Sequence, residues 1–316
     1  MGKFTDFFVN LTFLITFKEN NPHHKSFSSA MKIAIFGNSN SQNITPEIIG
    51  LLTLLKAQLE AELVFEPKFK AMIQSHAPQF GGDAALTPAS PVAAELALSF
   101  GGDGALLRAA KWVFSEDIPI MGINTGHLGY LTTTGTDKAL SAITRFFAGE
   151  MHISERTMLN INSGDVPIRS HFALNDIAVL RQDTSSMLQM TTTVNDAELT
   201  TYVGDGLVVS TPTGSTAYNL SAGGPILAPD TRCIILTPVS PHTLNMRPLV
   251  IDDNAMIRIS TVSRAPQFLV SVDGESYVFP SGSEVTIKRA KQKVKIVQIP
   301  HHNFAHTLRH KLLWGQ

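Results

Sequence analysis

One cysteine, Cys233, stands in a chain of 316 residues. That excludes an internal disulfide and any zinc site built from several cysteines, and it points to a reducing, cytoplasmic compartment. An excess of charge is lacking too: 25 Lys and Arg face 26 Asp and Glu, a balance of −1 with no run of one sign. Neither broad nucleic-acid binding nor a polybasic membrane anchor is expected, so no nucleic acid and no membrane are assigned as partners. The apolar run at 7–17, FFVNLTFLITF, is too short to span a bilayer as a helix, which takes roughly 20 residues. As a secretion signal it has only Lys3 ahead of it. There is no G-x-x-x-x-G-K-[ST], no strand-associated G-x-G-x-x-G and no G-x-S-x-G. These absences exclude a P-loop, a standard dinucleotide fingerprint and a hydrolase elbow. The pairs His23-His24 and His301-His302 lack a partner at metal-ligand spacing and read as surface histidines, so no metal ligand is assigned.

What is present is a core. Apolar residues make up 43% and charged residues 16%, which suits a globular chain. At about 150 residues per domain the length suggests two domains. Residues 1–30 read as a poorly ordered extension ahead of Met31, where MKIAIFGNSN has a buried strand running into a glycine loop. Strands and helices then alternate. Strands are expected at 32–36, 63–65, 95–100 and 118–123. A helix behind Thr45-Pro46 carries the stripe Ile48, Ile49, Leu51, Leu52, Leu55 and Leu59. Another follows Gly101-Gly102-Asp103-Gly104 with Leu106, Leu107, Ala110 and Val113 inward, and a third covers 137–148. The Pro-, Gly- and Ala-rich stretch 76–91 reads as a loop. Alternation of this kind implies a parallel sheet covered on both faces.

Beyond about Glu155 short Thr-, Val- and Ile-rich runs succeed one another, at 158–162, 177–180, 187–194, 207–210, 234–237, 256–262, 268–272 and 285–287. Ser163-Gly164, Asn195-Asp196 and Asp252-Asp253 punctuate them. The expected architecture is an α/β nucleotide-binding domain at 31–155 and an all-β, sandwich-like domain at 156–291. The segment 292–316, a strand and a helix, returns to the first domain.

Three constellations carry chemistry. In FGGDGALLR a strand delivers glycines to a helix start, where free N–H groups and the helix dipole favour phosphate. Asp103 in its middle would repel phosphate unless it binds a cation or takes a proton, and Arg108 lies one helical turn on. The plain alternative is a tight αβ turn with a capping aspartate, and the motif alone does not separate the two. Asn175-Asp176, between two apolar runs, suits hydrogen bonding to a ribose or base, although a turn explains it as well. The third, GDGLVVSTPTGSTAYNLSAGGP, has a second Gly-Asp-Gly, small hydroxyl residues, a helix start at Ser215 or Thr216, and Tyr218, which could stack on a base. So long a polar, small-residue segment is hard to explain by structure alone.

In order, FGGDG, NTGHLGYL, LNDIAVLR, GDGLVVSTPTGSTAYNLSAGGPI, LTPVSPHTLNMRPLVI and VSVDGE resemble the bacterial NAD kinases, ATP-dependent enzymes that phosphorylate NAD to NADP. The resemblance runs from about Lys32 to Leu313. GGDG is shared with lipid and sugar kinases; the TPTGSTAY block is more specific. The resemblance implies Asp103 as the catalytic carboxylate, with Gly104 and Arg108 near the ligand. It puts the ribose- and adenine-holding pair at Asn175 and Asp176 and a further aspartate at Asp205. The adenine-side segment falls on Thr216, Ala217, Tyr218, Asn219, Leu220 and Ser221, and a late aspartate on Asp273. Position 176 carries Asp where Glu is usual, and Val203 stands where many members have Arg. The implied ligands are NAD, ATP as phosphoryl donor and a divalent cation, Mg²⁺. The implied assembly is a homodimer or homotetramer.

Overall fold

The apolar runs of the first half are too short for helices and buried on both faces, which is what parallel strands between helix layers require. In the computed structural model, residues 31–38, 44–87, 92–126, 129–183, 186–299 and 304–312 are described. The expected extension at 1–30 lies outside them. The described residues fall into two compact units, one up to Ser154 together with those from Lys295 onward, the other Glu155–Val294.

The α/β unit runs β1 (Lys32–Gly37), α1 (Pro46–Gln58), β2 (Glu62–Phe65), α2 (Pro67–His76), β3 (Ala84–Ala85), β4 (Leu96–Phe100), α3 (Asp103–Val113), β5 (Ile120–Asn124), β6 (Thr134–Gly135) and α4 (Thr136–Phe147). Its strands pair in the order β3-β2-β1-β4-β5, all parallel. From β1 the chain winds outward to β3, then crosses back to β4 on the other side of β1. That reversal is a topological switch point, and open α/β sheets bind ligands outside the strand ends there. The GGDG turn leaves β4 at that point. Ile33, Ile35, Leu52, Leu55, Leu98, Phe100 and Ile143 belong to one buried core. The stripe on α1 buries Ile48, Leu51, Leu52 and Leu55 as expected. On α3, Leu106, Ala110 and Val113 are buried while Leu107 is only half-buried; Ala105 and Ala109 complete the inward face.

The helix α2 has no counterpart in the sequence expectations. Its cap is Glu66, whose carboxylate accepts the Phe69 N–H at 2.7 Å, with Pro67 in the first turn and Phe69 and Ile73 buried one turn apart. The 76–91 loop holds a short 3₁₀ turn at Pro78–Phe80 and β3 among its described residues.

The second unit has β7 (His152–Asn162), β8 (Phe172–Ala173), β9 (Asp176–Arg181), β10 (Leu188–Val194), β11 (Ala197–Gly204), β12 (Gly206–Ser210), β13 (Cys233–Val239), β14 (Leu249–Asp252), β15 (Ile257–Ser263), β16 (Gln267–Val272), β17 (Glu275–Pro280) and β18 (Glu284–Gln298), with a one-turn helix α5 (Tyr218–Ser221) after β12. One antiparallel sheet is ordered β14-β13-β12-β9-β16-β17, and β11-β10-β15-β18 form another. Leu188, Ile257 and Ile287 of the latter share one buried cluster with Val179, Leu207, Leu236 and Val270 of the former. The unit is therefore a sandwich. β18 outruns this unit: from Lys295 it belongs to the α/β unit, where Ile296 pairs in parallel with Ile120 of β5, and α6 (Phe304–Leu312) follows it. Among the described residues no helix is long and apolar enough to cross a membrane.

Candidate functional site

At the switch point the backbone turns sharply. Gly101 has φ +135°, a conformation that L side chains rarely adopt, and its N–H bonds to the Ile123 carbonyl at 2.9 Å. The cap of α3 is Gly102, with no side chain capping the helix, and Asp103 is its first helical residue. The helix start thus keeps backbone donors and a positive dipole end for an anion. Asp103 does not cap it, contrary to the plain alternative raised by the motif. Its carboxylate accepts from the next βα loop instead. Oδ2 takes the Tyr130 N–H at 2.7 Å; Oδ1 takes the N–H groups of Leu131 and Thr132 and the Thr132 hydroxyl, each at 3.0 Å. Three successive N–H groups converging on one anion form a backbone nest. Gly129 must be glycine, because a Cβ would stand 2.0 Å from Asp103 Oδ1. The Tyr130 phenol is raised, first by burial and then by the Asp103 charge, and its hydroxyl is buried without a partner.

Gly104 and Arg108 are exposed on the first turns of α3, and a Cβ at Gly104 would stand 3.9 Å from Arg108 Nη1. A cavity of about 380 Å³ opens at the starts of α1 and α4, lined by Thr45, Glu47, residues 124–126, Gly135, Thr136 and Asp137. Asp103 does not line it, but Asn124 belongs to both places: it lines the cavity and donates to Thr132.

In the sandwich a second carboxylate sits in a second nest. Asp273 occupies a two-residue hairpin turn between β16 and β17, with φ +49° followed by Gly274 at +82°. Its oxygens accept the N–H groups of Leu174, Asn175 and Asp176 at 2.8, 2.8 and 3.2 Å. Asp273 thereby fixes the entry to β9 and with it the pair Asn175-Asp176. Asp176 is 5% exposed, and burial, then the Asp273 charge, push its carboxyl up to about 7, against a Tyr218 backbone N–H that favours the charged form. The plain turn reading of this pair is incomplete, since Asp176 opens a buried strand.

The TPTGSTAY segment closes over the same strand entry. The Thr211 N–H bonds to the Asn175 carbonyl at 2.9 Å and its hydroxyl to the Leu174 carbonyl at 2.6 Å. A 3₁₀ turn at Thr213–Thr216 precedes α5, so the expected helix start is a 3₁₀ turn and the helix itself only one turn long. Tyr218 is exposed, and its phenol is raised first by burial and then by the charges of Asp176 and Asp205. Thr216, Ala217 and Leu220 are half-buried and Ser221 exposed. Between them in the sequence stands Asn219. It is fully buried, its amide nitrogen donating to the carbonyls of Ser215 and Pro225 at 3.0 Å each and its oxygen accepting the Thr237 hydroxyl at 2.6 Å. Those bonds hold the loop and leave the side chain little to offer a ligand. Asp205, at the corner between β11 and β12, pairs with Arg181 Nε at 3.1 Å. Val203 carries no charge, and Arg181 is the cation that reaches this corner. Arg181, Thr132, Asn124 and Gly129 have no place among the site residues expected from sequence.

Family models of the ATP-NAD kinase N-terminal and C-terminal domains match residues 33–151 and 174–299. NAD kinase from Bacteroides fragilis (strain YCH46) is 40% identical over 286 residues, 90% of this chain and 98% of the relative. The chain belongs to the ATP-NAD kinase family. NAD kinase from Porphyromonas gingivalis (strain W83) is 37% identical over the same shares of both chains. Among solved structures of the fold, yeast NADH kinase complexed with NADH matches with TM-score 0.81 and 21% identity, over 90% of this chain and 88% of the other. An NAD kinase from Archaeoglobus fulgidus in complex with ATP matches with TM-score 0.66 and 22% identity, over 89% and 97%. GGDG and TPTGSTAY thus lie one in each of the two kinase domains.

Proposed function

We propose that this NAD kinase transfers the γ-phosphoryl of ATP to the 2′-hydroxyl of the adenosine ribose of NAD, giving NADP, with Asp103 orienting that hydroxyl and accepting its proton. The observation that carries the proposal is the fixed carboxylate of Asp103 at the switch point, beside an uncapped helix start. The hydroxyl oxygen forms a bond to the γ-phosphorus, the bond from that phosphorus to the bridging oxygen of ADP breaks, and the hydroxyl proton passes to Asp103. The transition state is loose, so positioning and charge neutralisation contribute most and the proton moves late. Arg108 and the N–H groups at the start of α3 would offset charge on the donor phosphates.

Among the described residues no group of three or more His, Cys, Asp or Glu could hold a metal ion. The described residues thus offer no such cage for a resident Mg²⁺. The cation is read as part of the substrate, carried on the phosphates of ATP, as Mg²⁺ commonly is. For NAD, the proposal assigns Asp176, Asn175 and Tyr218 to the adenosine ribose and base. Asp205 and residues 216–221 would line the same face, with Asn219 and Asp273 shaping it. A homodimer or homotetramer is supported by the half-open apolar edge strand β14, where Leu249 and Val250 are exposed; light scattering on the purified protein tests it.

Purified protein incubated with ATP, Mg²⁺ and NAD should yield NADP, read with a coupled NADP-specific dehydrogenase. Phosphorus NMR of the product should place the new phosphate on the 2′-oxygen. No NADP, or phosphate on another oxygen, would overturn the proposal. Asp176→Ala should raise KM for NAD far more than KM for ATP; equal effects would move that residue away from the acceptor.

A further inference from the structure

The loop that holds Asp103 contains a chain of hydrogen bonds with only one consistent set of directions. Asn124 Oδ1 accepts the Gly126 N–H at 2.8 Å, which turns its Nδ2 toward Thr132. That nitrogen donates to Thr132 Oγ1 at 3.2 Å and lies 3.4 Å from the Thr132 carbonyl. Thr132 Oγ1 has one proton. With the amide donating to it, that proton is free to go to Asp103 Oδ1, 3.0 Å away. Thr132 is fully buried and Asn124 is 7% exposed, so water does not compete at the centre of the chain.

The outcome is an asymmetric carboxylate. Oδ1 receives three donors, two backbone N–H groups and the hydroxyl, while Oδ2 receives one. We propose that Thr132, oriented by Asn124, is a positioning residue for phosphoryl transfer: it saturates Oδ1 and locks the rotamer of Asp103 so that Oδ2 faces the acceptor hydroxyl. The inference rests on the assignment of Asp103 above. It gives the GYL end of the NTGHLGYL motif, with Thr132 directly after it, a part in the chemistry through its backbone and one hydroxyl, with no contact of its own to the reacting atoms.

Thr132→Val keeps the side-chain shape and removes the hydroxyl. Its kcat should fall about 10–100-fold, the scale expected when a reacting group is misplaced by a fraction of an ångström to an ångström. KM for NAD and for ATP should each change by less than about threefold, since uniform binding is untouched. Thr132→Ser restores the donor and should return kcat to within about threefold of the unaltered enzyme. The double variant Asp103→Asn/Thr132→Val should be no slower than Asp103→Asn alone, because the hydroxyl acts only through that carboxylate. A merely structural Thr132 would give multiplicative losses, and that outcome overturns the proposal. So does wild-type kcat in Thr132→Val, or an equal loss in Thr132→Ser. If Thr132→Val gives no cooperative thermal transition, Asn124→Asp replaces it. The new carboxylate draws the Thr132 proton away from Asp103, and the same fall in kcat is expected, with unchanged kcat overturning the proposal. Near-normal kcat in Asp103→Asn would instead sink the assignment of Asp103 itself.

Discussion

Asp103 and Asp176 show two opposite ways of handling a carboxylate. Asp103 is wrapped in donors, and substitution by Asn keeps its shape while placing an amide where the Tyr130 N–H now donates. We expect kcat to fall by at least about 10²–10⁴-fold, the usual size of a general-base contribution. Calorimetric affinity for NAD should change by less than about tenfold, or roughly 1.4 kcal/mol. A well-folded Asp103→Asn protein with near-normal turnover would contradict this. Asp176 is nearly stripped of water, beside a second acid. Its carboxyl, pushed up to about 7 in the folded chain from 3.8, holds a proton that the unfolded chain has already released. The resulting stabilisation is fully present below about pH 4 and is lost as pH rises through about 7. Asp176→Asn should flatten the dependence of unfolding free energy on pH between about 4 and 7. Denaturant titrations that superimpose in slope across that window would show that Asp176 does not titrate there. A ribose diol donating to Asp176 favours the charged form, so NAD should bind more tightly above pH 7 than below it.

At the scale of elements, the hairpin turn at Asp273-Gly274 does more than reverse the chain, since it anchors the start of β9 through three N–H groups. Removing the acceptor with Asp273→Ala leaves those donors without a partner, at about 1–3 kcal/mol for each that stays dry. A lower thermal midpoint and weaker NAD binding, with KM for ATP unchanged, are expected; an unaltered midpoint would show that water fills the nest. Much of this framework was legible in advance. The apolar runs at 95–100 and 207–210 read as strands, and the stripe on α1 marked its inward face. The strands β11 and β17 were not read, because Thr, Glu and Ser dilute their apolar signal, and β14 was not read because its four residues, LVID, are too few to show a period. Yet Asn195-Asp196 and Asp273-Gly274 were turn signals that could have placed β11 and β17. The helix α2 was announced by Glu66-Pro67 and missed. The site was legible where a motif named a side chain, as at Asp103. It was not where backbone N–H groups do the holding, because Tyr130, Leu131 and Thr132 act through atoms that every residue has.

For the whole molecule, the α/β unit is discontinuous. Val294, Ile296 and Val297 of β18 are almost fully buried, and Thr307 of α6 is buried too. A chain ending after Val294 would lose Ile296 and Val297 from the α/β core, about 3–6 kcal/mol of burial at 1.5–3 kcal/mol for each side chain. Limited proteolysis of that shortened protein should cut first within 31–154 and spare 155–294; cleavage in the reverse order would mean that the returning strand is dispensable. The same discontinuity bears on biosynthesis. The ribosome delivers the pieces in the order α/β, sandwich, α/β, and domains tend to fold as they emerge. The sandwich, contiguous from Glu155 to Val294, can close as soon as it is out. The stretch carrying Asp103 emerges before the sandwich, and its unit must wait for β18 until the sandwich strands have been made. Until then the sheet that presents Asp103 stands unfinished, so under the role proposed for Asp103 phosphoryl-transfer competence is gained only after the sandwich has been made.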